Sequence, residues 1–242
     1  MIPHKETWKH RLGESIYARF RVTRFFVELV RTEVRASLVG LKNALLPWRR
    51  RRIRRLRRQE GARVNVACGP FPLSGFVNLD LHSSHPDVIE YDCRWSLPFR
   101  DAAVTGIRVE HFFEHLETRQ ELPAFLADCH RVLGAGGVLR IVVPDTERYL
   151  RAYCDGADTF EALGVPSPFP EDLPTALDIV NHAFHQWHEH RWGYDFETLE
   201  HRLRRAGFAS VERMEYQRSL DEELAVDRNE HALYSLYVNA VK

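Results

Sequence analysis

Two short segments decide the fold of this chain: Arg63-Val-Asn-Val-Ala-Cys-Gly-Pro70 and Phe76-Val-Asn-Leu-Asp-Leu81. The first is an apolar strand that runs into a turn of small residues, and the second is a strand that ends in the carboxylate of Asp80. Small residues let a backbone approach a ligand closely, and an acid at the tip of the neighbouring strand can accept both hydroxyls of a ribose. The pair therefore predicts a nucleoside site.

The spacing between these segments argues against a dinucleotide. Dinucleotide folds bind a pyrophosphate at the N-terminus of a helix directly after the glycine loop, with the ribose acid about 20 residues later. Here Asp80 lies eleven positions after Gly69, and the intervening Pro70–Gly75 contains two prolines. Such a connection is too short for a crossover helix, so the pattern predicts a nucleoside ligand that carries no phosphate.

Strands and helices alternate after residue 61, which predicts an α/β fold with a Rossmann-like, doubly wound sheet. We expect the sheet to be mostly parallel with an antiparallel last strand. The predicted strands are 63–67, 76–80, 87–91, 104–109 and 137–143, followed by a closing pair at 211–216 and 232–241. Helices are predicted near 119–132 and at 196–208, and Gly134, Gly136 and Gly137 are expected to end the first of these helices.

Three further segments carry a family resemblance: Glu90-Tyr-Asp-Cys-Arg-Trp-Ser-Leu-Pro-Phe99, Val104-Thr-Gly-Ile-Arg-Val-Glu-His-Phe-Phe-Glu-His-Leu116 and Arg131-Val-Leu-Gly-Ala-Gly-Gly-Val-Leu-Arg-Ile-Val-Val-Pro-Asp145. In chain order they resemble the class I S-adenosylmethionine-dependent methyltransferases. The resemblance is to the type 11-like small bacterial branch, with its "LNLGCGP", "NVDL", "LPF", "EHL" and "RVLKPGGxLRIxVPD" motifs, often associated with surface-polysaccharide synthesis. It runs from about Val64 to the end of the chain. Asn65 and Ala67 depart from the pattern, since many members have an acid and a glycine there.

The resemblance implies S-adenosylmethionine as cofactor. The residues it assigns to cofactor binding are Ala67, Cys68, Gly69, Asp80, Leu81, Asp92, Cys93 and Glu110. Asp80 and Asp92 would hold the adenosine, while the turn after the first strand and Glu110 would border the methionine portion. His111 and His115 are the catalytic candidates, because an imidazole with a pKa of about 6.5 suits a general base that serves a hydroxyl acceptor.

The histidine-rich segments leave alternatives open. His111-Phe-Phe-Glu-His115 matches the pattern of inverted zinc peptidases and also resembles the Glu-x-x-Glu-His metal site of some O-methyltransferases, to which 181–190 could add a ligand. No metal is assigned, because a loop held by hydrogen bonds from Glu114 and His115 is the favoured interpretation. Trp187, Trp192 and Tyr194 are candidate acceptor contacts, since aromatic rings stack on sugars and nucleobases alike.

The N-terminal residues differ in charge from the rest of the chain. Residues 1–62 carry 17 Lys and Arg against 5 Asp and Glu, although the net charge of the whole chain is zero. Residues 14–46 have the period of an amphipathic helix that Pro47 should end, and eight arginines follow within Trp48–Arg58. We expect two regions: a basic helical extension at 1–60 and a methyltransferase domain at 61–242.

Three functions fit the extension: docking of its apolar stripe on the core, attachment to an anionic membrane surface, and contact with nucleic acid, which is less favoured. Four widely spaced cysteines without a secretion signal predict a reduced, cytoplasmic protein, with peripheral contact at the inner membrane face. The predicted function is O-methylation of a glycan or glycolipid precursor. The alternatives are an RNA-directed methyltransferase and a non-catalytic module that binds S-adenosylmethionine.

Overall fold

The computed structural model describes Arg19 and residues 22–242. Its helices are α1 (Arg24–Leu45), α2 (Pro47–Leu56), α3 (Glu121–Val132), α4 (Thr146–Asp155), α5 (Ala176–His185) and α6 (Phe196–Arg205). The strands are β1 (Ala62–Val66), β2 (Val77–Asp80), β3 (Val88–Glu90), β4 (Val104–Glu110), β5 (Leu133–Pro144), β6 (Ser210–Met214) and β7 (Ser235–Val241). Short 3-10 turns lie between several of these elements.

All seven strands form one sheet in the order β3-β2-β1-β4-β5-β7-β6. The first five strands of this order are parallel, and β7 runs antiparallel to both of its neighbours. The strand order reverses between β1 and β4. In open α/β sheets, ligands bind outside the carboxyl ends of the strands at such a reversal. The predicted Rossmann-like fold is therefore confirmed, and its topology fixes where the site must lie.

One face of the sheet carries the apolar core. Val64, Val66, Ile107, Leu139 and Ile141 are fully buried on this face. They belong to one cluster with residues of α2, α3 and α6. A second, smaller apolar cluster joins α4 and α5 to the residues between them.

The other face of the sheet carries a row of polar side chains. Asn65, Arg108, Arg140 and Asn239 are aligned by register on adjacent strands and are buried. The segment 215–231 covers the row in place of a helix. It supplies the hydrogen-bond partners that buried polar groups need. Arg140 donates to the carboxylate of Asp227, and Arg108 donates to the Val226 carbonyl.

The glycines after α3 form part of a strand instead of ending the helix. Helix α3 ends at Val132, and β5 begins at Leu133, earlier than predicted. Its pairing with β4 jumps from Leu133 to Val138, so the residues between them form a bulge. Gly136 has a φ of +74°, and a Cβ on Gly137 would meet the Gly134 carbonyl oxygen at 2.9 Å. The glycines are needed for the bulge geometry.

Helix α1 docks on the core through its polar and small side chains. Ala36 and Val39 are buried, Arg35 donates to the Leu81 carbonyl at 2.7 Å, and Asn43 donates to the Glu90 carbonyl at 2.9 Å. The apolar stripe on the opposite face is exposed, with exposed fractions of 43–67%. The stripe consists of Phe26, Val30, Val34, Leu38, Leu41 and Leu45, continued by Trp48 on α2. The first alternative from the sequence, a stripe that docks on the core, is therefore wrong.

The beginning of the predicted 14–46 helix lies partly outside the described residues. At its other end the prediction is close, because α1 ends at Leu45 and Pro47 opens α2 at the first helical position, where proline is favoured. None of the helices in the described part of the chain is long and apolar enough to cross a membrane. All four cysteines are free, and Cys154 is exposed while the others are buried.

Candidate active site

A cavity of about 450 Å³ opens at the carboxyl ends of β1, β2 and β4, where the strand order reverses. This volume lies in the range of small-molecule and cofactor sites. The predicted site residues that line it are Ala67, Asp80, Leu81, Asp92, Cys93, His111 and His115. The structure thus brings together the two aspartates of the predicted adenosine site and the two histidines of the predicted acceptor site.

Asp80 joins the loop after β1 to the loop after β2. Its Oδ2 accepts the Gly69 N–H at 2.9 Å, and its Oδ1 accepts those of His82 and Ser83 at 2.6 and 2.8 Å. A carboxylate oxygen has two lone pairs, so Oδ1 is fully used by its two donors and Oδ2 keeps one acceptor position for a ligand hydroxyl. The side chain is therefore held rigidly at the cavity wall and stays able to accept from a ribose.

Asp92 is fixed by a guanidinium that also reaches two helices. Arg94 donates to both carboxylate oxygens of Asp92, to Glu33 on α1 at 2.5 Å and to Glu121 on α3 at 2.9 Å. Burial by itself lowers the pKa of Arg94, but its hydrogen bonds to Asp92 and Glu33 outweigh this and raise the pKa above its usual value. Arg94 therefore stays charged and ties α1 to the cavity wall.

The cavity wall is rich in carboxylates. The acidic residues that line it are Glu28, Asp80, Asp92, Glu121 and Glu189, against Arg94 and Arg191. A pyrophosphate would be repelled by this wall. The connection between β1 and β2 also contains no helix whose N-terminus could bind one. S-adenosylmethionine carries two positive groups, a sulfonium and an ammonium, and a single carboxylate. The carboxylates that line this cavity therefore fit that cofactor.

Helix α1 supplies one side of the cavity. Glu28, Leu29 and Thr32 line it, and they lie on the face of α1 that docks on the core. These residues lie in the predicted extension, outside the predicted methyltransferase domain, and none of them is among the predicted site residues. Their place in the site could not be predicted, because the hydrophobic pattern of α1 identifies the apolar stripe and says nothing about the face that docks on the core.

The turn after β1 has an unusual backbone. Ala67 and Gly69 have φ angles of +53° and +54°, in the left-handed region that costs a side chain roughly 1–2 kcal/mol. Ala67 thus adopts the conformation that a glycine would adopt freely, at the position where many members of the resembled family have glycine. Cys68 is buried beside it, and its thiol pKa is raised to about 12, by burial and then by the charge of Asp80. Cys68 and Gly69 support the turn and do not line the cavity.

Glu110 lies behind the cavity wall instead of in it. Its carboxylate accepts from Arg108, from the backbone N–H of Arg228 at 3.2 Å and pairs with Nδ1 of His231 at 3.0 Å. Burial raises the pKa of Glu110, but the hydrogen bond to His231 and the charge of Arg108 outweigh it, and the pKa falls to about 2. Glu110 is held in an internal ion-pair cluster and does not line the cavity, while its contact with the methionine portion stays a prediction.

His111 is held in the cavity wall from two sides. Its Nε2 lies 3.0 Å from the Ser235 hydroxyl, and its Nδ1 lies 3.1 Å from Oε1 of Glu114. The residue has a φ of +51°, a strained conformation that is common at functional sites. The side chain keeps part of its surface exposed to the cavity.

Glu114 and two histidines form a cluster next to this wall. Glu114, His115 and His190 each present a ligand atom within 4.8 Å of the other two. Glu114 is 1% exposed; its Oε1 has only the contact with Nδ1 of His111 at 3.1 Å, and its Oε2 has no hydrogen-bond partner. Burial opposes its ionisation, yet the neighbouring histidines more than offset this and lower the pKa of Glu114. His190 is also buried, which lowers the pKa of its imidazole.

A strained turn brings His190 to Glu114. Gln186, Trp187 and His188 all have positive φ angles, between +34° and +76°. After this turn the chain runs back towards Glu114, and the Arg191 N–H donates to the Glu114 carbonyl at 2.6 Å. Three consecutive left-handed residues are costly and persist only where the surroundings hold them. Sequence reasoning noted the histidines of this segment but could not select His190 among them.

The three aromatic candidates have different environments. Trp187 and Trp192 are 60% and 46% exposed, which leaves their rings accessible. Tyr194 is 1% exposed and donates to the Phe113 carbonyl at 3.4 Å. Tyr194 is therefore part of the core, and its assignment as an acceptor contact is wrong.

Comparison with known proteins gives one family and several structures. Residues 75–141 match the family described as the methyltransferase domain, and no curated protein matches the chain. An S-adenosylmethionine-dependent methyltransferase from Archaeoglobus fulgidus is 14% identical with a TM-score of 0.44, over 91% of this chain and all of that one. A possible histamine N-methyltransferase from Thermotoga maritima is 16% identical with a TM-score of 0.44, over 90% and 97%.

A third structure is 1,6-didemethyltoxoflavin-N1-methyltransferase from Burkholderia thailandensis, with bound 1,6-didemethyltoxoflavin and S-adenosylhomocysteine. It is 14% identical with a TM-score of 0.43, over 96% of this chain and 89% of that one. At these values the structures add no argument about substrate. The methyltransferase-domain match over residues 75–141 and the observed strand order support an enzyme with a Rossmann-like fold that uses S-adenosylmethionine as methyl donor.

Proposed function

We propose that this enzyme transfers the methyl group of S-adenosylmethionine to a hydroxyl oxygen of a glycan or glycolipid precursor. The observation that supports this best is the shared cavity wall, in which His111 and His115 lie beside Asp80 and Asp92. A sulfonium is already a reactive electrophile, so alignment of the acceptor provides most of the acceleration. A neutral hydroxyl additionally needs a base, and the imidazole of His111 is suited to that role.

The proposed reaction is a single displacement. The acceptor oxygen forms a bond to the methyl carbon while the carbon–sulfur bond breaks, and the bonding electron pair goes to sulfur to give S-adenosylhomocysteine. The hydroxyl proton passes to the imidazole of His111. The exposed rings of Trp187 and Trp192, near the cavity-lining His188 and Arg191, support a saccharide acceptor because aromatic faces stack on sugar rings.

An RNA acceptor is less well supported. That alternative requires the Arg-rich segment to lie along the cofactor cavity, whereas none of the residues Arg49–Arg58 lines it. Arg49 is instead paired with Glu90 at 2.5 Å. The non-catalytic alternative predicts either an acceptor pocket blocked by side chains or no cofactor uptake. The cavity is open, and titration with S-adenosylhomocysteine tests the uptake.

The test uses trideuteromethyl S-adenosylmethionine with fractions of a bacterial envelope extract: sugar nucleotides, lipid-linked saccharides and RNA. We expect a trideuteromethyl ether in a saccharide fraction. His111→Ala should lower kcat by about 10²–10⁴-fold with unchanged affinity for S-adenosylhomocysteine, and His185→Ala serves as the exposed histidine control. Label that enters only RNA, or only nitrogen atoms, would refute the proposal.

We also propose that the exposed stripe of α1 attaches the enzyme to an anionic membrane surface. An α-helix turns about 100° per residue, so the stripe and the docked residues Ala36 and Val39 lie on opposite faces. Arg31, whose side chain is 67% exposed, flanks the stripe. The exposed arginines of α2 follow it along the chain. An apolar face bordered by cations matches an interfacial helix, and each basic residue near anionic lipid contributes about 1 kcal/mol.

Co-sedimentation with vesicles tests the attachment. We expect binding to vesicles that contain phosphatidylglycerol, weaker binding to pure phosphatidylcholine, and loss of binding in Leu41→Glu. Leu177→Glu is the matched control, because Leu177 is a leucine of similar exposure on another helix. If Leu41→Glu instead dissociates a dimer formed without vesicles, the stripe is covered by a second copy and the membrane proposal is wrong.

A further inference from the structure

The cluster of Glu114, His115 and His190 contains a buried carboxylate with one oxygen that has no partner. Both oxygens of Glu114 are fully buried; Oε1 has only Nδ1 of His111 at 3.1 Å, and Oε2 has no hydrogen-bond partner. Leaving such a group unpaired is costly, and more so for a charged group. A buried charge is normally paired or coordinates a metal. The surroundings of Glu114 offer nitrogen lone pairs and no lysine or arginine partner among its hydrogen bonds and ion pairs in the described residues.

The hydrogen bonds of the two histidines determine which nitrogen is free. Nδ1 of His115 lies 3.0 Å from the Glu189 carbonyl, and Nδ1 of His190 lies 2.9 Å from the Ala183 carbonyl. A carbonyl can only accept, so each Nδ1 carries the proton, and each neutral ring therefore has its lone pair on Nε2. A metal-ligating histidine almost always donates its other ring N–H to a carbonyl or carboxylate in this way.

From this geometry we infer that Glu114, His115 and His190 bind a divalent first-row transition-metal ion. Two imidazoles and a carboxylate with open positions are typical of Fe(II) sites and of catalytic Zn²⁺ sites. The imidazoles favour such ions over Mg²⁺ and Ca²⁺. Ligand atoms within 4.8 Å of one another need only small inward rotations to reach metal–ligand distances of about 2.0–2.2 Å.

The position of the cluster gives the ion a role that rests on the proposed function. His115 belongs both to the cluster and to the cavity wall, so the ion lies at the acceptor end of the cavity. An ion held there by Glu114, His115 and His190 would act as a Lewis acid that binds the acceptor hydroxyl and favours its ionised form. His111 also contacts Oε1 of Glu114 and orients the carboxylate. The inferred acceptor is a saccharide whose hydroxyl can coordinate the ion.

The test measures metal binding by itself. Untagged protein is used, since a polyhistidine tag binds the same ions, and it is stripped with a chelator and titrated calorimetrically with Zn²⁺, Mn²⁺ and Co²⁺. We expect one ion per chain, with visible Co²⁺ absorption that reports nitrogen and oxygen ligands. Glu114→Gln and His115→Gln should each weaken the ion at least about 10-fold. His185→Ala, an exposed histidine of the same segment, should not.

Circular dichroism and titration with S-adenosylhomocysteine accompany each variant, and His115 is only partly buried, so its variant tests the site if Glu114→Gln fails to fold. Absence of stoichiometric binding by the wild type, or unchanged affinity in a folded His115→Gln, overturns the inference. The two proposals fail separately. Loss of S-adenosylhomocysteine binding in every form would refute the methyltransferase site and leave the metal result intact.

Discussion

Arg140 on β5 and Asp227, in the segment before β7, form a two-point ion pair in which neither side chain has any exposed surface. Nε of Arg140 donates to Oδ1 of Asp227 at 2.8 Å, and Nη2 donates to Oδ2. The same guanidinium also donates to Asn239 and to the Arg218 carbonyl. This pair fastens the covering segment to the polar face of the sheet.

Asp227→Asn should strongly destabilise the fold. Breaking a buried pair leaves an uncompensated charge and costs about 3–5 kcal/mol. The free energy of unfolding from urea titration is the measurement. The control is Arg151→Met, which removes an exposed pair with Glu147 and should have little effect. A loss in Asp227→Asn no larger than that of the control would contradict the role of the pair.

Asp80→Asn should weaken cofactor binding at least about 10-fold. An amide NH₂ would replace one carboxylate oxygen and face the backbone N–H groups that Asp80 now accepts, so the loop would shift and the ribose would lose an acceptor. Calorimetric titration with S-adenosylhomocysteine and its 2′-deoxy analogue measures this. Asp87→Asn, at an exposed carboxylate, is the control. Equal affinity of Asp80→Asn and wild type would remove the ribose assignment.

Ala67→Gly should be neutral or stabilising. Alanine pays the cost of a positive φ at this position, and glycine does not. In an ordinary helix the same exchange costs roughly 0.5–1 kcal/mol, so Ala127→Gly at an exposed position of α3 is the matched control. Urea midpoints of both variants decide the question. Similar destabilisation of the two proteins would show that Ala67 is unstrained.

Acid should remove the stabilisation that Glu110 provides. Its pKa is about 2 in the folded chain against an ordinary value of 4.5, so the folded state binds the proton more weakly. The contribution, about 3 kcal/mol at most, is fully present above pH 4.5 and is lost as the pH falls towards 2. Unfolding free energies across that range should fall more steeply for wild type than for Glu110→Gln. Parallel curves would contradict the assignment.

Arg35→Met should lower the affinity for S-adenosylhomocysteine by about 10-fold, or 1.4 kcal/mol. Arg35 fastens α1 to the Leu81 carbonyl and to Glu90, and α1 supplies one wall of the cavity. Lys42→Met, an exposed cation on the same helix, is the control. If both variants bind the ligand as wild type does, α1 contributes nothing to cofactor binding.

The sequence predicted the sheet well because its signals are local. The apolar runs around Val64 and Leu79 need only their own neighbours to specify strands, and Pro70–Gly75 excludes a crossover helix by length alone. The family match at 75–141 begins after Val64 and includes Leu79. The start of β5 was missed because glycines usually end elements, whereas here Gly137 allows a bulge against the Gly134 carbonyl.

The rest of the site depends on contacts between distant segments. His190 reaches Glu114 only through the strained turn at Gln186–His188, and nothing in residues 181–190 singles it out. Glu110 ends a strand at the correct edge of the sheet, yet His231 and Arg228 bind it from the covering segment. For α1, the hydrophobic pattern identified the apolar face correctly but could not tell whether protein or solvent lies against it.

If α1 attaches the enzyme to a membrane as proposed, its two faces link lipid attachment and donor uptake thermodynamically. One face closes the cavity through Glu28 and Thr32, and the other presents the stripe around Leu41. If the bilayer favours the docked position of this helix, it raises the affinity for the donor by some factor, and the donor must raise partitioning into the bilayer by the same factor. Turnover would then be concentrated at the membrane surface.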